Sequence, residues 1–352
     1  MDITPYLNLL RDKQGSDLFF TVGAPVKIKI EGQINSVGKT LLTGDLIRAS
    51  AEALMSDKQR ARYEETMESD FAISLEDKSA RFRVNVFQQR GEVGMVLRRI
   101  PSQIPTIDEL GLPEILKTLI MHKRGLILMV GATGSGKSTT IAAMINHRNR
   151  KSASHIITIE DPIEFLHTNQ KSIVNQRELG LDTKSYARAL RSALRAAPDV
   201  VMVGEIRDVE TMQAAIDIAG TGQLAIATLH SNNAPETLDR IINMFPVAQQ
   251  RQVFVDLSQY LRAIISQRLV RNREGKRVAA VELMLNTPHI AELVEKGDIV
   301  GVKEALQESS EQGMQNFDQA LLKLYRRGEI TLQEALVNAD SRTNLEAQIN
   351  FG

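Results

Sequence analysis

The sequence contains no cysteine and no tryptophan, and its 43 basic residues are balanced by 43 acidic ones. The missing cysteine excludes disulfide bonds and thiol catalysis and fits a reducing compartment. A net charge of zero argues against bulk electrostatic attraction to nucleic acid or to anionic lipid. The six histidines show no metal-ligand spacing, so the sequence does not predict a zinc site.

Long apolar runs are also missing. No run approaches the roughly 18–20 residues of a membrane-spanning helix. The first twenty residues carry Asp2, Arg11, Asp12 and Lys13 and have no long apolar core, so no signal peptide is expected. The composition therefore predicts a cytoplasmic protein, and 352 residues are enough for two domains.

The chain divides into two regions of different pattern. The first hundred residues combine short strand candidates with two helix candidates, which predicts a small α+β domain. Prolines at 101, 105 and 113 indicate a linker. From residue 116 strands alternate with helices, which predicts an α/β domain with a parallel sheet. Near its end, the pattern predicts a helix over 247–267, a hairpin over 268–286 and helices thereafter.

Residues 131–139 form a complete G-x-x-x-x-G-K-[ST] phosphate-binding loop. The loop follows an apolar run typical of a buried strand and precedes a helix-forming stretch, so it lies at a helix N-terminus that favours anions. A structural glycine-rich turn is the alternative interpretation. The motif predicts a nucleoside triphosphate site whose contact residues are Gly131, Thr133, Gly134, Ser135, Gly136, Lys137, Ser138 and Thr139.

Two further strand candidates end in carboxylates. Glu205 follows the apolar run at 200–203, where it can hold a metal-bound water or act as the base on the attacking water. Glu160, Asp161 and Glu164 follow another strand, and clustered acids favour a bound cation. Solvated loops and a charged turn at Pro162 are the alternatives.

Histidine and arginine side chains provide the other candidates. His230 follows the buried run at 224–229 and can donate a hydrogen bond to a γ-phosphate, although a histidine at a strand end is as often held by a neighbour. Arg81, Arg83, Arg98 and Arg99 lie on or just after strands of the first region. An arginine from outside the phosphate-binding loop can stabilise transition-state charge, provided that an oligomer brings it there.

Four motifs in this order resemble those of the secretion ATPases of type II secretion systems and type IV pili. Residues 131–139, 159–164, 198–208 and 228–231 are similar to that family's Walker A, Asp box, Walker B and His box. Three further segments are similar to its amino-terminal domain, namely residues 15–18, 82–85 and 98–101. A short amino-terminal region and no four-cysteine zinc site favour the retraction branch over the assembly branch.

The resemblance implies a fold and a machine. The expected fold class is α/β, with a PAS-like domain over 1–100, a linker over 101–115 and a RecA-like P-loop ATPase domain over 116–352 that is helical from about 286. It implies a hexamer that uses ATP and Mg²⁺ near subunit interfaces to drive pilus retraction, twitching motility and often DNA uptake. It also implies docking on an inner-membrane platform protein at the cytoplasmic face, without direct nucleic-acid contact.

Carried over by residue, the resemblance assigns Lys137 to phosphate and Ser138 to phosphate and Mg²⁺. It assigns Glu205 and Glu164 to the metal and the water, with Glu160 and Asp161 as further candidate Mg²⁺ ligands. The side chains that the resemblance implies will reach ATP from other parts of the fold are Arg83, Arg98 and His230.

Two departures separate this chain from typical retraction ATPases. The His box usually begins with histidine, and here that position is Gln223. The stretch 289–296 lacks the two arginines that those ATPases carry there. The lost arginines, together with residues 313–319 and the leucine-rich helix that follows, point to an accessory retraction ATPase that cooperates with a partner motor. The lost arginines and Gln223 also motivate one alternative, an ATP-binding module with low turnover, and the other alternative is an assembly or type II secretion ATPase.

Overall fold

The computed structural model describes residues 1–30, 32–77, 79–101, 103–308 and 313–351. The chain forms two compact units. The first comprises Met1–Gln103 with Glu164–Leu166, and the second comprises Ile104–Ile163 with His167–Gly352. Within the described ranges, no helix is both long enough and apolar enough to cross a membrane.

Among its described residues, the first unit contains a six-stranded antiparallel sheet and three helices. The strand order in space is third, second, first, sixth, fifth, fourth. In chain order its elements are α1 (Thr4–Asp12), β1 (Asp17–Phe20), β2 (Val26–Ile30), β3 (Gln33–Val37), α2 (Gly44–Leu54), α3 (Asp57–Thr66), β4 (Glu68–Ser74), β5 (Arg81–Gln89) and β6 (Glu92–Ile100).

Alternation and capping explain these elements. Along β5, Phe82, Val84 and Val86 are buried while the residues between them are half-buried, as expected for a sheet with one face on the core. The Thr43 hydroxyl caps α2, and Ser56 caps α3 through a capping box.

The second unit is built on a seven-stranded sheet in the order β13-β12-β7-β11-β10-β8-β9. All neighbouring strands are parallel except β13, which is antiparallel to β12. Its elements are α4 (Ile115–Leu119), β7 (Gly125–Val130), α5 (Lys137–Lys151), β8 (His155–Glu160), β9 (Ile173–Glu178), α6 (Tyr186–Leu194), β10 (Val200–Val203), α7 (Val209–Gly220), β11 (Leu224–Leu229), α8 (Ala234–Met244), α9 (Val247–Tyr260), β12 (Leu261–Arg271), β13 (Arg277–Leu285), α10 (Pro288–Lys296), α11 (Ile299–Glu308), α12 (Phe317–Arg326), α13 (Leu332–Asn338) and α14 (Arg342–Phe351).

Helices cover both faces of this sheet. Leu126, Leu128 and Val130 of β7 pack into one core with residues of α6 to α9, while Ile127 and Met129 pack into another with residues of α4 and α5. Because both faces are buried, β7 is apolar throughout. The predicted α/β class is confirmed, because the second unit has a mainly parallel sheet covered by helices and the smaller first unit is α+β.

One predicted element was wrong. The helix expected over 247–267 ends at Tyr260, and Leu261–Arg271 is a strand. Its residues from Leu261 to Ser266 pair in parallel with β7. A strand buried on both faces shows no alternation of polar and apolar residues, so its sequence resembles a buried helix. Pairing with β7 and β13, rather than local preference, decides its conformation.

The structure adds to the sequence analysis at two further stretches. The strand β9 pairs with β8 at the sheet edge and was not predicted. The proline-containing stretch expected as a linker joins the second unit from Ile104 onward. Ile107 and Leu112 in it are buried in the core that includes α4 and α5.

Candidate nucleotide-binding site

The phosphate-binding loop joins the end of β7 to the start of α5. Gly134 and Gly136 have φ of 79° and 87°, in the left-handed region that favours glycine. A Cβ placed on Gly131 would lie 2.5 Å from the carbonyl oxygen of Gln267 and 2.6 Å from Oγ of Ser135. The glycines of the motif are therefore required by backbone conformation and by close packing.

Helix α5 begins at this loop, and the start of a helix favours an anion. Gly136 is the N-cap residue and no side chain caps the helix. The N–H groups of the first turn, at residues such as Ser138 and Thr139, have no acceptor within the helix itself, and the helix dipole adds partial positive charge there. An open cavity of about 330 Å³ borders the loop and is lined by Gly131 to Ser135 and Gln267 among others.

Lys137 provides the positive charge of the loop. Its Nζ donates to the carbonyl oxygens of Gly131 at 2.7 Å and of Ala132 at 3.0 Å. Burial lowers the pKa of Lys137, and the nearby Glu205 carboxylate opposes that shift. A partly desolvated lysine held over the loop attracts phosphate strongly because little water screens it.

Glu205 lies at the carboxyl edge of the sheet, just after β10. Its Oε1 is 3.1 Å from Nε2 of His230, which follows the neighbouring strand β11. Its Oε2 accepts a hydrogen bond of 2.6 Å from Arg207. The parallel pairing of β10 with β11, and of β11 with β7, brings these side chains to the edge that carries the phosphate-binding loop.

The surroundings of Glu205 keep it ionised. Burial alone would raise its pKa, but the hydrogen bond from Arg207 and the charges of Arg207, His230 and Lys137 outweigh burial and lower it. An ionised carboxylate here can ligate a divalent cation or accept a proton from water.

Backbone contacts hold the Glu205 loop against β11. The Thr228 hydroxyl donates to the carbonyl of Gly204, and the N–H of Ile206 donates to the carbonyl of Thr228 at 2.8 Å. A Cβ on Gly204 would lie 3.0 Å from the carbonyl oxygen of Ile159 and 3.0 Å from the Tyr186 hydroxyl. The position of Glu205 is thus set by close packing on both sides.

The carboxylates of Glu160, Asp161 and Glu164 do not come together in one metal-binding set among the described residues. The Glu160 carboxylate is buried and accepts hydrogen bonds from Thr158 at 2.6 Å and from Gln176 at 3.0 Å. Asp161 is exposed and lies 3.7 Å from Arg207, which links it to Glu205. In the part of the chain that the structure describes, no three His, Asp or Glu side chains form a set that could hold a metal ion.

Glu164 lies in a different compact unit from the phosphate-binding loop. It is exposed, and the short segment Glu164–Leu166 groups with the first unit. Lys137 and Glu205 both belong to the second unit. The predicted role of Glu164 on metal and water stays a prediction.

Arg83 and Arg98 belong to the first unit. They lie directly opposite each other on β5 and β6 and therefore share one face of the sheet. Arg83 pairs with Asp70 at 3.4 Å, and Arg98 pairs with the buried Asp17 at 2.8 Å. Each arginine is held by an aspartate while remaining partly exposed, so both guanidinium groups keep capacity for a further anion.

Gln223, which replaces the usual histidine of the His box, lies far from Glu205. It immediately precedes β11, whereas His230 immediately follows it, so the strand separates the two by about 20 Å at roughly 3.3 Å per residue. The Gln223 side chain accepts a hydrogen bond from Thr221. The substitution therefore leaves the surroundings of Glu205 and Lys137 unchanged.

Sequence patterns missed three side chains around this site. Arg207 bridges Glu205 and Asp161, and a cation two positions after a strand-end acid was the available signal. The Tyr186 hydroxyl is buried without a hydrogen-bond partner among the described residues, and burial raises its pKa, as do Asp161 and Glu205 nearby. Gln267 contacts the loop itself and carried no pattern because a helix was expected there.

The buried Glu282 holds the segment that follows His230 through a hydrogen bond to its backbone. Oε1 of Glu282 on β13 accepts the N–H of Ala234, the first residue of α8, at 2.8 Å, and the hydroxyl of Ser266 at 3.0 Å. Burial raises the pKa of Glu282 to about 7, and the two hydrogen bonds reduce that shift. The unfolded value is 4.5. Folding therefore takes up a proton between those pH values.

This proton uptake predicts a pH-dependent stability. Because the pKa of Glu282 is higher in the folded protein, the stabilising contribution of this group to the free energy of unfolding is complete below pH 4.5. It is lost as the pH rises to 7. Glu282→Gln keeps the acceptor oxygen without a charge, so at pH 8 we expect a free energy of unfolding on the order of 2–3 kcal/mol above the parent. At pH 4.5 the two should be equal. Urea unfolding followed by circular dichroism measures this difference.

The exposed Glu274 in the turn between β12 and β13 provides a matched control. Glu274→Gln should leave the pH dependence of stability as in the parent. A Glu282→Gln protein whose stability follows the parent at both pH values would contradict the assignment.

Comparisons with known proteins give the family of this chain and its relatives. The sequence profile of the family described as "Type II/IV secretion system protein" matches residues 12–338. The chain is 51% identical to the type IV pilus ATPase PilU of Pseudomonas aeruginosa, over 100% of this chain and 92% of that protein. It is 42% identical to the type IV pilus retraction ATPase PilT of the same organism, over 95% of this chain and 97% of that protein.

A solved structure gives the same answer for the fold. The crystal structure of the pilus retraction motor PilT with bound ADP superposes with a TM-score of 0.91 and 43% identity, covering 98% of this chain and 99% of that one. The likeness extends over both units and therefore includes the phosphate-binding loop. The chain thus belongs to the type II/IV secretion system protein family, falls within its PilT/PilU type, and is a nucleotide-binding ATPase.

Proposed function

We propose that this ATPase powers retraction of a type IV pilus. The observation that carries the proposal is the phosphate-binding loop after β7, with the ionised Glu205 after β10, two strands away in the sheet. The chain is also similar over its full length to retraction ATPases. Twitching motility follows from repeated retraction, and DNA uptake follows where the pilus binds DNA.

The reaction is transfer of the γ-phosphoryl group of ATP to water. Lys137 and the first-turn N–H groups of α5 bind the phosphates and stabilise the charge that develops on them. Glu205 accepts a proton as water forms its bond to phosphorus, and the bond to the β-phosphate oxygen breaks to give ADP and phosphate. His230, beside Glu205, orients that carboxylate and can donate to a phosphate oxygen.

The donor set fits Mg²⁺ with oxygen ligands. The exposed Ser138 hydroxyl and the Glu205 carboxylate would hold the ion, with the exposed Asp161 as a further candidate. Glu160 is a weaker candidate because its side chain is buried. When bound, Mg²⁺ neutralises charge on the phosphates.

We further propose a ring of six subunits in which Arg83 or Arg98 of one chain reaches ATP bound to another. The support is that both arginines lie on one sheet face of the first unit, outside the unit that carries the phosphate-binding loop. Glu164 groups with the same unit, and we propose that it contacts the metal and the water at the ATP site.

An accessory role beside a PilT-type motor is the finer proposal. It is supported by the similarity to PilU and by the two lost arginines at 289–296. We propose that the ring, alone or mixed with a PilT-type ATPase, works at the cytoplasmic face of the inner membrane on a platform protein of the pilus machine. Gln223 does not argue for low turnover because it lies at the far end of β11.

Gene deletion in the piliated host tests the retraction proposal. We expect more surface pili and reduced twitching, because assembly continues while retraction is weakened. Complementation with the parent chain should restore both, whereas complementation with Arg98→Ala should fail if that arginine serves catalysis. Loss of surface pili on deletion would instead identify an assembly ATPase. Pilus counts by electron microscopy and twitching-zone diameters are the measurements.

A further inference from the structure

The strand β12 extends past β7 and runs alongside the phosphate-binding loop. Its pairing with β7 ends where Ser266 faces Val130, which is the last residue of β7. The next residue of β12, Gln267, therefore reaches the level of Gly131. The carbonyl oxygen of Gln267 would lie only 2.5 Å from a Cβ on Gly131, so the two backbones are in close contact.

The Gln267 side chain makes two buried hydrogen bonds to the loop and its helix. Nε2 donates to the carbonyl of Ser135 at 2.8 Å, and Oε1 accepts from the Thr140 hydroxyl at 2.7 Å. Gln267 is 2% exposed and Thr140 is 1% exposed. A Cβ on Gly136 would lie 2.7 Å from the same Nε2. One amide thus joins the middle of the loop to the first turn of α5 and packs against its glycine.

We propose that Gln267 is a positioning residue that holds the phosphate-binding loop in its binding conformation. An amide is suited to this task because it offers a donor to the Ser135 carbonyl and an acceptor to Thr140 at once. Removing it leaves a buried carbonyl and a buried hydroxyl unpaired, which is costly in a buried site. The loop escapes that cost by moving away from the conformation that presents its N–H groups to phosphate.

The first test is ADP binding by the full-length chain with Gln267→Leu, measured by isothermal titration calorimetry. We expect ADP affinity to fall at least 10-fold. In steady-state ATPase assays the KM for ATP should rise by a similar factor while kcat changes less than threefold, because a displaced loop binds the phosphates less tightly whereas Lys137, which stabilises the developing charge, is retained. Amide hydrogen exchange of residues 133–138 should speed up.

The control is Asn286, a second amide of the same unit that holds two backbone carbonyls. Its Nδ2 donates to the carbonyls of Ser258 at 2.8 Å and Leu261 at 3.1 Å, at the opposite end of β12 from the loop. Asn286→Ala should lower thermal stability without weakening ADP binding. If it weakens ADP binding as much as Gln267→Leu does, Gln267 has a general structural role and the proposal fails.

Two further variants separate the hydrogen bonds. Gln267→Glu keeps the acceptor for Thr140 but places an oxygen beside the Ser135 carbonyl, so it should lose at least as much ADP affinity as Gln267→Leu. Thr140→Val keeps the donor to Ser135, and we expect a loss of about threefold. Thr140→Val also decides the question if the leucine variant does not fold. ADP affinity within twofold of the parent in all folded variants would overturn the proposal.

Discussion

Lys137→Ala should abolish measurable ATP turnover, with a loss of at least about 10²–10³-fold. Lys137 is the half-buried cation of the loop, and its ammonium group lies 2.7 Å from the Gly131 carbonyl. No other residue of the loop carries a positive charge. Phosphate release from ATP at saturating concentration, together with ADP titration, measures the effect.

The fold should survive this change. Burial lowers the pKa of Lys137, which means that the charged side chain is held at some cost in the folded protein. Replacing it by alanine removes that cost along with two hydrogen bonds to carbonyls, so we expect little change in melting temperature. Lys151→Ala, at the exposed end of the same helix, is the matched control and should hydrolyse ATP like the parent. Parental turnover by Lys137→Ala would overturn the assignment of the loop.

Glu205→Gln should retain ATP binding while hydrolysis falls by at least about 10²-fold. The amide keeps the size of the carboxylate and an oxygen that can accept from Arg207. It cannot accept a proton from water at neutral pH, and it offers no negative charge to a divalent cation. The lowered pKa of Glu205 in the parent shows that the ionised form is the one that the site favours.

Nucleotide affinity and turnover must be measured together on this variant. ATP affinity within about threefold of the parent, with turnover lost, separates a role in chemistry from a role in binding. The control is Glu210→Gln, which removes an exposed glutamate paired with Arg191 at 2.9 Å and should leave turnover unchanged. Parental turnover by Glu205→Gln would move the role of base to Glu164.

The parallel sheet was predictable where local sequence decides conformation. Val200–Val203 and Leu224–Leu229 have the bounds that their apolar runs predict, because a short apolar run bounded by polar residues has few other structures available. β12 was missed for the opposite reason. Its run continues directly from α9, and the choice between helix and strand depends on hydrogen bonds to β7 and β13, which lie far away in sequence.

The same division applies to the site. Glu205 and His230 were predictable because each follows a buried strand, and parallel strands bring their carboxyl ends to one edge. Arg207 and Gln267 were not, because their roles depend on which side chains they meet across the fold. A hydrogen bond between residues 132 positions apart leaves no local pattern in the chain.

The sequence by itself determined the nucleotide class and the sheet edge of the site. A phosphate-binding loop works through backbone conformation at Gly134 and Gly136, and glycine is the residue type that adopts their positive φ without strain. Only the tertiary structure decided that Arg207 keeps Glu205 ionised, that Gln267 holds the loop and that Glu164 groups with the first unit. Charge, burial and hydrogen bonding at those positions depend on neighbours from distant parts of the chain, and folding is what assembles them.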